Sequence, residues 1–361
     1  MYLHLICTNP NSVYIRAFVE FISKNFNVNE HLFLTSSPTN NYQTEEFRKL
    51  GIRISNIKFS SSIDVEYLSM LAKDSDKILI HSMFATDWLS WLYNKQEILK
   101  KSIWVAWGGD IYNFWLKGRK YHSFELLIEY FKTEIIKNIH GIACLVQEDY
   151  NFVKEMYITN AIYYYVFYPN PVNFYTLDEA TSKIGTKQNN GRRMLLGNSA
   201  TWTNNHMEVL KALAEFLDED YEIICPLSYG DLQYANQVIQ FGKRLFGERF
   251  IPLTDYMKPE DYAVLLSTVD VGVFNHNRQQ GLGNILALLY LMKKVYIRSD
   301  VTTWAFLNRL GIKVFDTKEI LNGSVTNLFD FDKDIGLENR EIVSKEFSEQ
   351  KAVEVWQKLL E

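Results

Sequence analysis

Cysteine is scarce in this chain: Cys7, Cys144 and Cys225 are the three among 361 residues, each inside an apolar, strand-like run. Their separation argues against a local zinc knuckle and leads us to expect buried reduced thiols, as in a cytoplasmic protein. An excess of basic charge is missing too. Against 38 Lys and Arg stand 43 Asp and Glu, a formal charge of -5, which argues against a nucleic-acid partner. No apolar run is long enough to span a bilayer, and no signal peptide is read ahead of the first strand. The G-x-x-x-x-G-K-S/T pattern of a P-loop is absent. So is an H-x-x-x-H pair, and the scattered acids form no convincing metal cluster. Neither half opens with G-x-G-x-x-G after its first strand, which argues against a nicotinamide dinucleotide site.

Hydrophobic residues make up 47% and charged residues 22%, the balance of a globular protein, and the length suggests two or three domains. Aromatic content is the unusual quantity. Eight Trp, 22 Tyr and 23 Phe exceed what a compact core needs, so some are expected to face a sugar, a lipid or a partner.

Strand and helix patterns alternate along the chain. Strands are predicted at 2–8, 31–34, 77–81, 102–107, 141–146 and 161–166, with helices over 13–26, 63–73 and 123–137 among them. Tyr168-Pro-Asn-Pro171 then opens a polar stretch that reads as a linker over 171–192. The rhythm restarts with strands at 194–196, 221–225, 271–274, 294–297 and 313–315. Helices are predicted over 205–217, 232–246, 259–268, 282–291, 302–309 and 349–360. Strands separated by helices mean parallel βαβ units. The expected fold is α/β, with two Rossmann-like doubly wound domains facing a cleft. Domain one covers 1–170 and domain two 193–340, and a helical tail over 341–361 is expected to pack back on the first. Ligands bind at the loops that follow the strand C-termini in such sheets.

Those loops carry the candidate chemistry. Asp270-Val-Gly-Val-Phe-Asn-His-Asn-Arg278-Gln279-Gln280-Gly281-Leu-Gly283 runs from a strand through a polar loop into an apolar helix. Free N–H groups and the helix dipole favour an anion there, Arg278 adds a planar fork suited to phosphate, and Gly281 and Gly283 permit close approach. The plainer reading is a β-α turn with a solvated arginine. Gly197-Asn198-Ser199 repeats the logic, with Asn204 as the expected N-cap of the next helix. Tyr229 could stack on a base. Glu260 could hold ribose hydroxyls or simply cap its helix. In the first half, Trp104-Val-Ala-Trp107-Gly-Gly-Asp110-Ile-Tyr112 ends a strand. Asp110 is expected to face the cleft, where a carboxylate can take a proton, unless it caps the following segment; His81 is the second candidate base. Trp107, Tyr112, Phe114, Trp115, Lys117, Arg119 and Lys120 interleave rings and bases beside an amphipathic helix. They fit a surface resting on anionic lipid headgroups, although a stripe at helical spacing can equally be core.

Trp107-Gly-Gly-Asp-Ile-Tyr112, Gly197-Asn-Ser199 with Asn205-His206, Pro226-x-x-Tyr229 and the run Asp270 to Gly283 resemble glycosyltransferase family 56, the 4-acetamido-4,6-dideoxy-D-galactosyltransferases. The likeness covers about 77–315. It implies a GT-B fold and transfer of Fuc4NAc from a dTDP donor to a polyprenyl-diphosphate saccharide, lipid II of enterobacterial common antigen. It also implies work at the cytoplasmic face of the bacterial inner membrane. Gly197, Asn198, Ser199, Tyr229, Glu260, Arg278, Gln279, Gln280, Gly281 and Gly283 then belong to the donor side, with Asp110 and His81 across the cleft. No metal or other cofactor is expected, because helix N-termini and Arg278 can stabilise the leaving diphosphate. Where that family has a histidine-glycine pair at a strand end, this chain has His81-Ser82. An O-antigen or capsule transferase using another dTDP-, UDP- or GDP-sugar is the rival enzyme. A non-catalytic binder of nucleotide sugar or glycolipid is the rival of another class.

Overall fold

The computed structural model describes residues 1–37, 41–117, 122–184, 192–216 and 220–361. The chain divides into two compact units, Met1–Asn170 with Glu349–Glu361, and Pro171–Ser348.

The first unit holds seven strands: β1 (Tyr2–Ile6), β2 (His31–Thr35), β3 (Arg53–Asn56), β4 (Lys77–His81), β5 (Ser102–Val105), β6 (Gly141–Cys144) and β7 (Ile162–Tyr165). They pair in the order β3-β2-β1-β4-β5-β6-β7, all parallel. The second unit holds β8 (Arg192–Leu196), β9 (Tyr221–Pro226), β10 (Phe250–Leu253), β11 (Val271–Phe274), β12 (Lys294–Ile297) and β13 (Phe315–Asp316). Their order is β10-β9-β8-β11-β12-β13, again all parallel. Parallel sheets are covered by helices on both faces, which is why their inner strands read as continuous apolar runs. Each sheet reverses its strand order once, between β1 and β4 and between β8 and β11. Ligands in doubly wound folds bind outside the strand C-termini at such reversals.

Two edge strands depart from a continuous apolar run. β3 is short and largely exposed, with the sequence Arg-Ile-Ser-Asn. β10 contains Pro252, which a strand tolerates at a sheet edge because one side needs no ladder N–H. The segment read as a linker carries a helix, Phe174–Ile184. Phe174 stacks on Tyr290 at 4.1 Å, and Asp178 accepts from the Tyr290 hydroxyl at 2.8 Å, which ties this helix into the second unit. Of the tail 341–361, residues to Ser348 belong to the second unit, where they close the helix Lys333–Glu346. The helix Glu349–Leu360 packs in the first unit: Trp356 is fully buried, and its Nε1 donates to the Phe167 carbonyl at 2.9 Å. All three cysteines are free and buried.

Candidate active site

The loops after β8 and β11 meet through side chains. Gly197 leaves β8 with φ +70, and a Cβ there would lie 2.4 Å from His206 Nε2, so only glycine fits. Asn198 is buried and works in three directions. Its N–H donates to Asn204 Oδ1 at 3.0 Å, its Nδ2 to the Tyr229 hydroxyl at 2.8 Å, and its Oδ1 accepts from Gln280 Nε2 at 2.9 Å. Gln280 is the hub. Besides Asn198 it reaches Ser199 Oγ at 3.3 Å and accepts from Thr203 Oγ1 at 2.6 Å, while its carbonyl lies 3.1 Å from His276 Nδ1. The loop after β9 joins the same group: the Ala200 N–H donates to the Tyr229 carbonyl at 2.8 Å, and Gly230 presses against Ala200. Tyr229 therefore keeps its ring 56% exposed while its hydroxyl is drawn inward. Burial of that hydroxyl raises its pKa, against the bonds to Asn198 and Ser199 and the charge of Arg278.

Gly281 follows with φ +68 and starts the helix Leu282–Tyr290. Gly283 stands in its half-buried first turn. Arg278 is half-buried and donates to the Gln279 carbonyl at 2.7 Å. His276 bridges Gln280 to Asn204, whose Oδ1 it meets at 2.9 Å. Burial, then the charges of Arg278 and His206, push His276 down to about 3. The neutral ring has one proton for two acceptors. Asn204 thus braces the loop from inside a single helical turn, and the residue preceding the helix His206–Leu213 is Asn205, in a left-handed conformation. Glu260 is exposed in the first turn of the helix Pro259–Ser267. No described hydrogen bond or ion pair links it to this network.

In the first unit Asp110 is buried in the turn that follows β5. It is 4% exposed and accepts from the N–H of Met83 at 3.0 Å, Trp104 Nε1 at 2.9 Å and the N–H of Trp107 at 2.8 Å. These donors come from the ends of β4 and β5, so the carboxylate fastens two strand-end loops together. Burial raises its pKa, while the Trp107 N–H, the Lys132 charge and the other two donors oppose that rise. Charge-assisted bonds of this kind contribute about 1.5–3 kcal/mol each. Met83 can reach Asp110 because Ser82 turns the chain with φ +69, and its Oγ donates to the Cys7 carbonyl at 3.1 Å. His81 is fully buried, with Nε2 2.9 Å from His4 Nδ1 and Nδ1 bonded to the Tyr168 hydroxyl.

The ring-and-base surface is rearranged. Tyr112 is buried and donates to Asp149 Oδ1 at 2.6 Å; Trp115 is half-buried and donates to the Tyr157 hydroxyl at 3.3 Å. Trp107 and Phe114 are also half-buried, and Lys117 is paired with Glu125. Arg119 and Lys120 lie outside the described residues. The exposed apolar side chains stand on the next helix, Ser123–Asn138: Phe124 is 60% exposed, Leu127 48% and Tyr130 55%. Lys132, Ile135 and Ile136 of the same helix turn inward. No helix among the described residues is long and apolar enough to cross a membrane. Among those residues no group of three His, Cys, Asp or Glu could hold a metal ion.

A family model described as 4-alpha-L-fucosyltransferase, glycosyl transferase group 56, matches residues 4–344. The chain belongs to glycosyltransferase family 56. Solved structures share its fold. HepE from Anabaena in complex with UDP and glucose has TM-score 0.70 at 13% identity, covering 100% of this chain and 99% of that one. Sucrose-phosphate synthase from Thermosynechococcus elongatus has TM-score 0.71 at 12% identity, covering 100% and 98%. A glycosyltransferase from Rickettsia africae has TM-score 0.66 at 12% identity, covering 99% and 97%. The fold is GT-B, and this family 56 member is a glycosyltransferase. Sequence reasoning had missed Thr203, His276, His4 and Tyr168. His276 sits inside the loop between Asp270 and Gly283 and was readable there; the other three are brought in by strand pairing and loop packing.

Proposed function

We propose that the protein transfers 4-acetamido-4,6-dideoxy-D-galactose from a dTDP donor to a polyprenyl-diphosphate-linked saccharide, without a metal, at the cytoplasmic face of the inner membrane. The observation that carries this reading is the Gln280 network in a family 56 chain. It locks Asn198, Ser199 and Tyr229 beside the N-terminus of the helix Leu282–Tyr290. Backbone N–H groups and the dipole at that terminus suit a diphosphate, and Arg278 lies close enough to act electrostatically on Tyr229. The exposed Tyr229 ring offers a stacking face for a base. Preorganised donors here would stabilise the leaving diphosphate as its charge develops. Gly197 and Gly281 keep the backbone of these loops in conformations other residues rarely adopt. Phe124, Leu127 and Tyr130 supply an apolar face suited to the lipid carrier's membrane.

A second reading is favoured by one relative: HepE is solved with UDP and glucose, so a UDP-sugar is the alternative donor, for an O-antigen or capsule acceptor. Thermal shifts with dTDP, UDP, GDP and CMP, without metal, separate the two. At a hundredfold excess over Kd, a specific nucleotide stabilises the fold by ~2.7 kcal/mol. A shift with dTDP alone, abolished in Gln280→Ala, supports the proposed donor, and a shift with UDP alone replaces it. No shift with any nucleotide removes the donor site.

A further inference from the structure

The first unit contains a line of buried imidazoles. β1 pairs with β2 and β4 so that Tyr2 faces His31, His4 faces Phe33 and Leu79, and Ile6 faces His81. Side chains alternate between sheet faces, so His4, His31 and His81 share one face, opposite the one built from Leu3 and Leu5. His31 Nδ1 is 2.9 Å from His4 Nε2, His4 Nδ1 is 2.9 Å from His81 Nε2, and His81 Nδ1 bonds the Tyr168 hydroxyl. The rings are buried, with only His31 reaching a hollow: His4 and His81 are 0% exposed and His31 1%. Phe33 stacks on His4 at 4.2 Å, and Phe18 lies 5.1 Å from both His81 and Tyr168.

Both ends reach something. His31 stands at the start of β2 and lines a hollow of about 330 Å³ together with Tyr2, Asn27, Glu30, Gln357 and Glu361. Tyr168 is partly exposed at the opposite edge of the sheet, edge-on to Trp107 at 5.4 Å, beside the Asp110 turn. The line therefore crosses the sheet from the N-terminal to the C-terminal ends of its strands. Filling this volume needs no histidine; Leu or Phe packs it without polar atoms. Three imidazoles in mutual contact add what those cannot, a donor and an acceptor on each ring.

We propose that Tyr168, His81, His4 and His31 form a proton path that carries a proton from the strand C-terminal edge to the solvent-lined hollow under the sheet. The identity of that proton, the one leaving the acceptor hydroxyl, rests on the transferase reading; the path does not. Burial, with smaller contributions from His81 and His31, holds His4 well below the ordinary histidine value. His31 is pushed down to about 4 by burial, which outweighs the opposing Glu30 carboxylate, and the N-terminal amine adds to the fall. His81 is pushed to about 3 by burial. Burial also raises the Tyr168 phenol, against the pull of the Trp107 indole, and the Asp110 carboxylate adds to that rise. Each ring is thus neutral at pH 7, with one proton and one lone pair.

The transfer balances atom by atom. The acceptor hydroxyl gives its proton to the Tyr168 oxygen as Tyr168 gives its own to His81 Nδ1. His81 Nε2–H passes to His4 Nδ1, His4 Nε2–H passes to His31 Nδ1, and His31 Nε2–H leaves to water in the hollow. The acceptor oxygen keeps the electron pair with which it attacks the sugar, and the bond from the sugar to the diphosphate breaks, its electron pair leaving with the nucleoside diphosphate. Between turnovers the relay runs in reverse: water in the hollow returns a proton to His31 Nε2, each ring passes its Nδ1–H back toward Tyr168, and the Tyr168 hydroxyl gives one proton to bulk water, which restores the starting tautomers.

Ring-nitrogen NMR of the full chain tests the path without turnover. Tyr168→Phe should move the His31 ring resonances, although two imidazoles separate them. A His31 spectrum unchanged by Tyr168→Phe would overturn the path, since purely structural rings respond only to neighbours. Transfer assays add the second readout. His4→Phe keeps an aromatic ring against Phe33 and should lower kcat about tenfold or more. It should abolish the solvent deuterium effect on kcat while leaving the donor KM unchanged. His31→Gln, at the rim of the hollow, gives the same test should His4→Phe not fold, and added imidazole should restore its rate. An unchanged kcat and isotope effect in these variants overturns the proposal. If the unaltered protein transfers no sugar, the transferase reading fails instead, and the NMR result alone decides the path.

Discussion

At the scale of single residues, Ser82 accounts for a local departure from the family pattern. Its left-handed φ of +69 is the conformation glycine adopts freely, and glycine is what the resembled pattern carries there. Serine survives because its short hydroxyl bonds the Cys7 carbonyl at 3.1 Å, a contact worth about 1 kcal/mol. That roughly offsets the ~1–2 kcal/mol of left-handed strain in a residue with a Cβ. Ser82→Gly is therefore expected to stay within about 1 kcal/mol of the parent in urea denaturation, whereas Ser82→Val loses ~3 kcal/mol or more through strain and an orphaned buried carbonyl. Equal losses in both variants would show that φ is not what constrains this position. Asp110 teaches a related lesson. An acid at a strand end was open to two readings from sequence, and the donors from Met83, Trp104 and Trp107 give it a positioning role.

At the scale of elements, the helix Ser123–Asn138 shows how one amphipathic pattern serves two surfaces. Lys132, Ile135 and Ile136 turn to the core, where Lys132 lies 3.5 Å from Glu129 and over the rings of Trp104 and Tyr157. Phe124, Leu127 and Tyr130 turn out. Exposed apolar side chains grouped on one helix face suit the membrane contact that the proposed function requires. The double substitution Phe124→Glu with Leu127→Glu is expected to reduce co-sedimentation with anionic phospholipid vesicles several-fold, leaving the melting temperature and the nucleotide shift unchanged. Unaltered sedimentation would rule this helix out as the membrane face. The helix stands next to the ring-rich run 107–117, most of which serves the interior.

At the scale of the molecule, neutral buried histidines govern acid stability. His4, His31, His81, His206 and His276 all have folded pKa values below the free value, with burial the leading cause. A base with a depressed folded pKa binds its proton more tightly when unfolded. Its stabilisation is complete above about 6.5 and is lost as pH falls toward the folded value, at up to ~1.4 kcal/mol per pH unit per residue. Asp110, with a raised folded pKa, acts in the opposite sense between its folded value and 3.8. Melting temperatures should be flat above pH 7 and fall steeply between pH 6 and 4, and a flat profile down to pH 4.5 would contradict the neutral-imidazole assignment. Sequence by itself determined the two doubly wound sheets, because apolar runs, helical periodicity and loop chemistry are written within a few residues of each other. It also singled out the loops 197–199 and 278–283, which the fold brings together, as candidate anion sites. It missed β3 and the helix Phe174–Ile184, whose local patterns are short or polar at the edges. Only the tertiary structure decided which side chains meet. Gln280 touches Asn198 across 82 residues, and His4 touches His81 across 77. Such contacts follow from strand order and register, which are set by burial over the whole sheet and leave no mark in any local stretch of sequence.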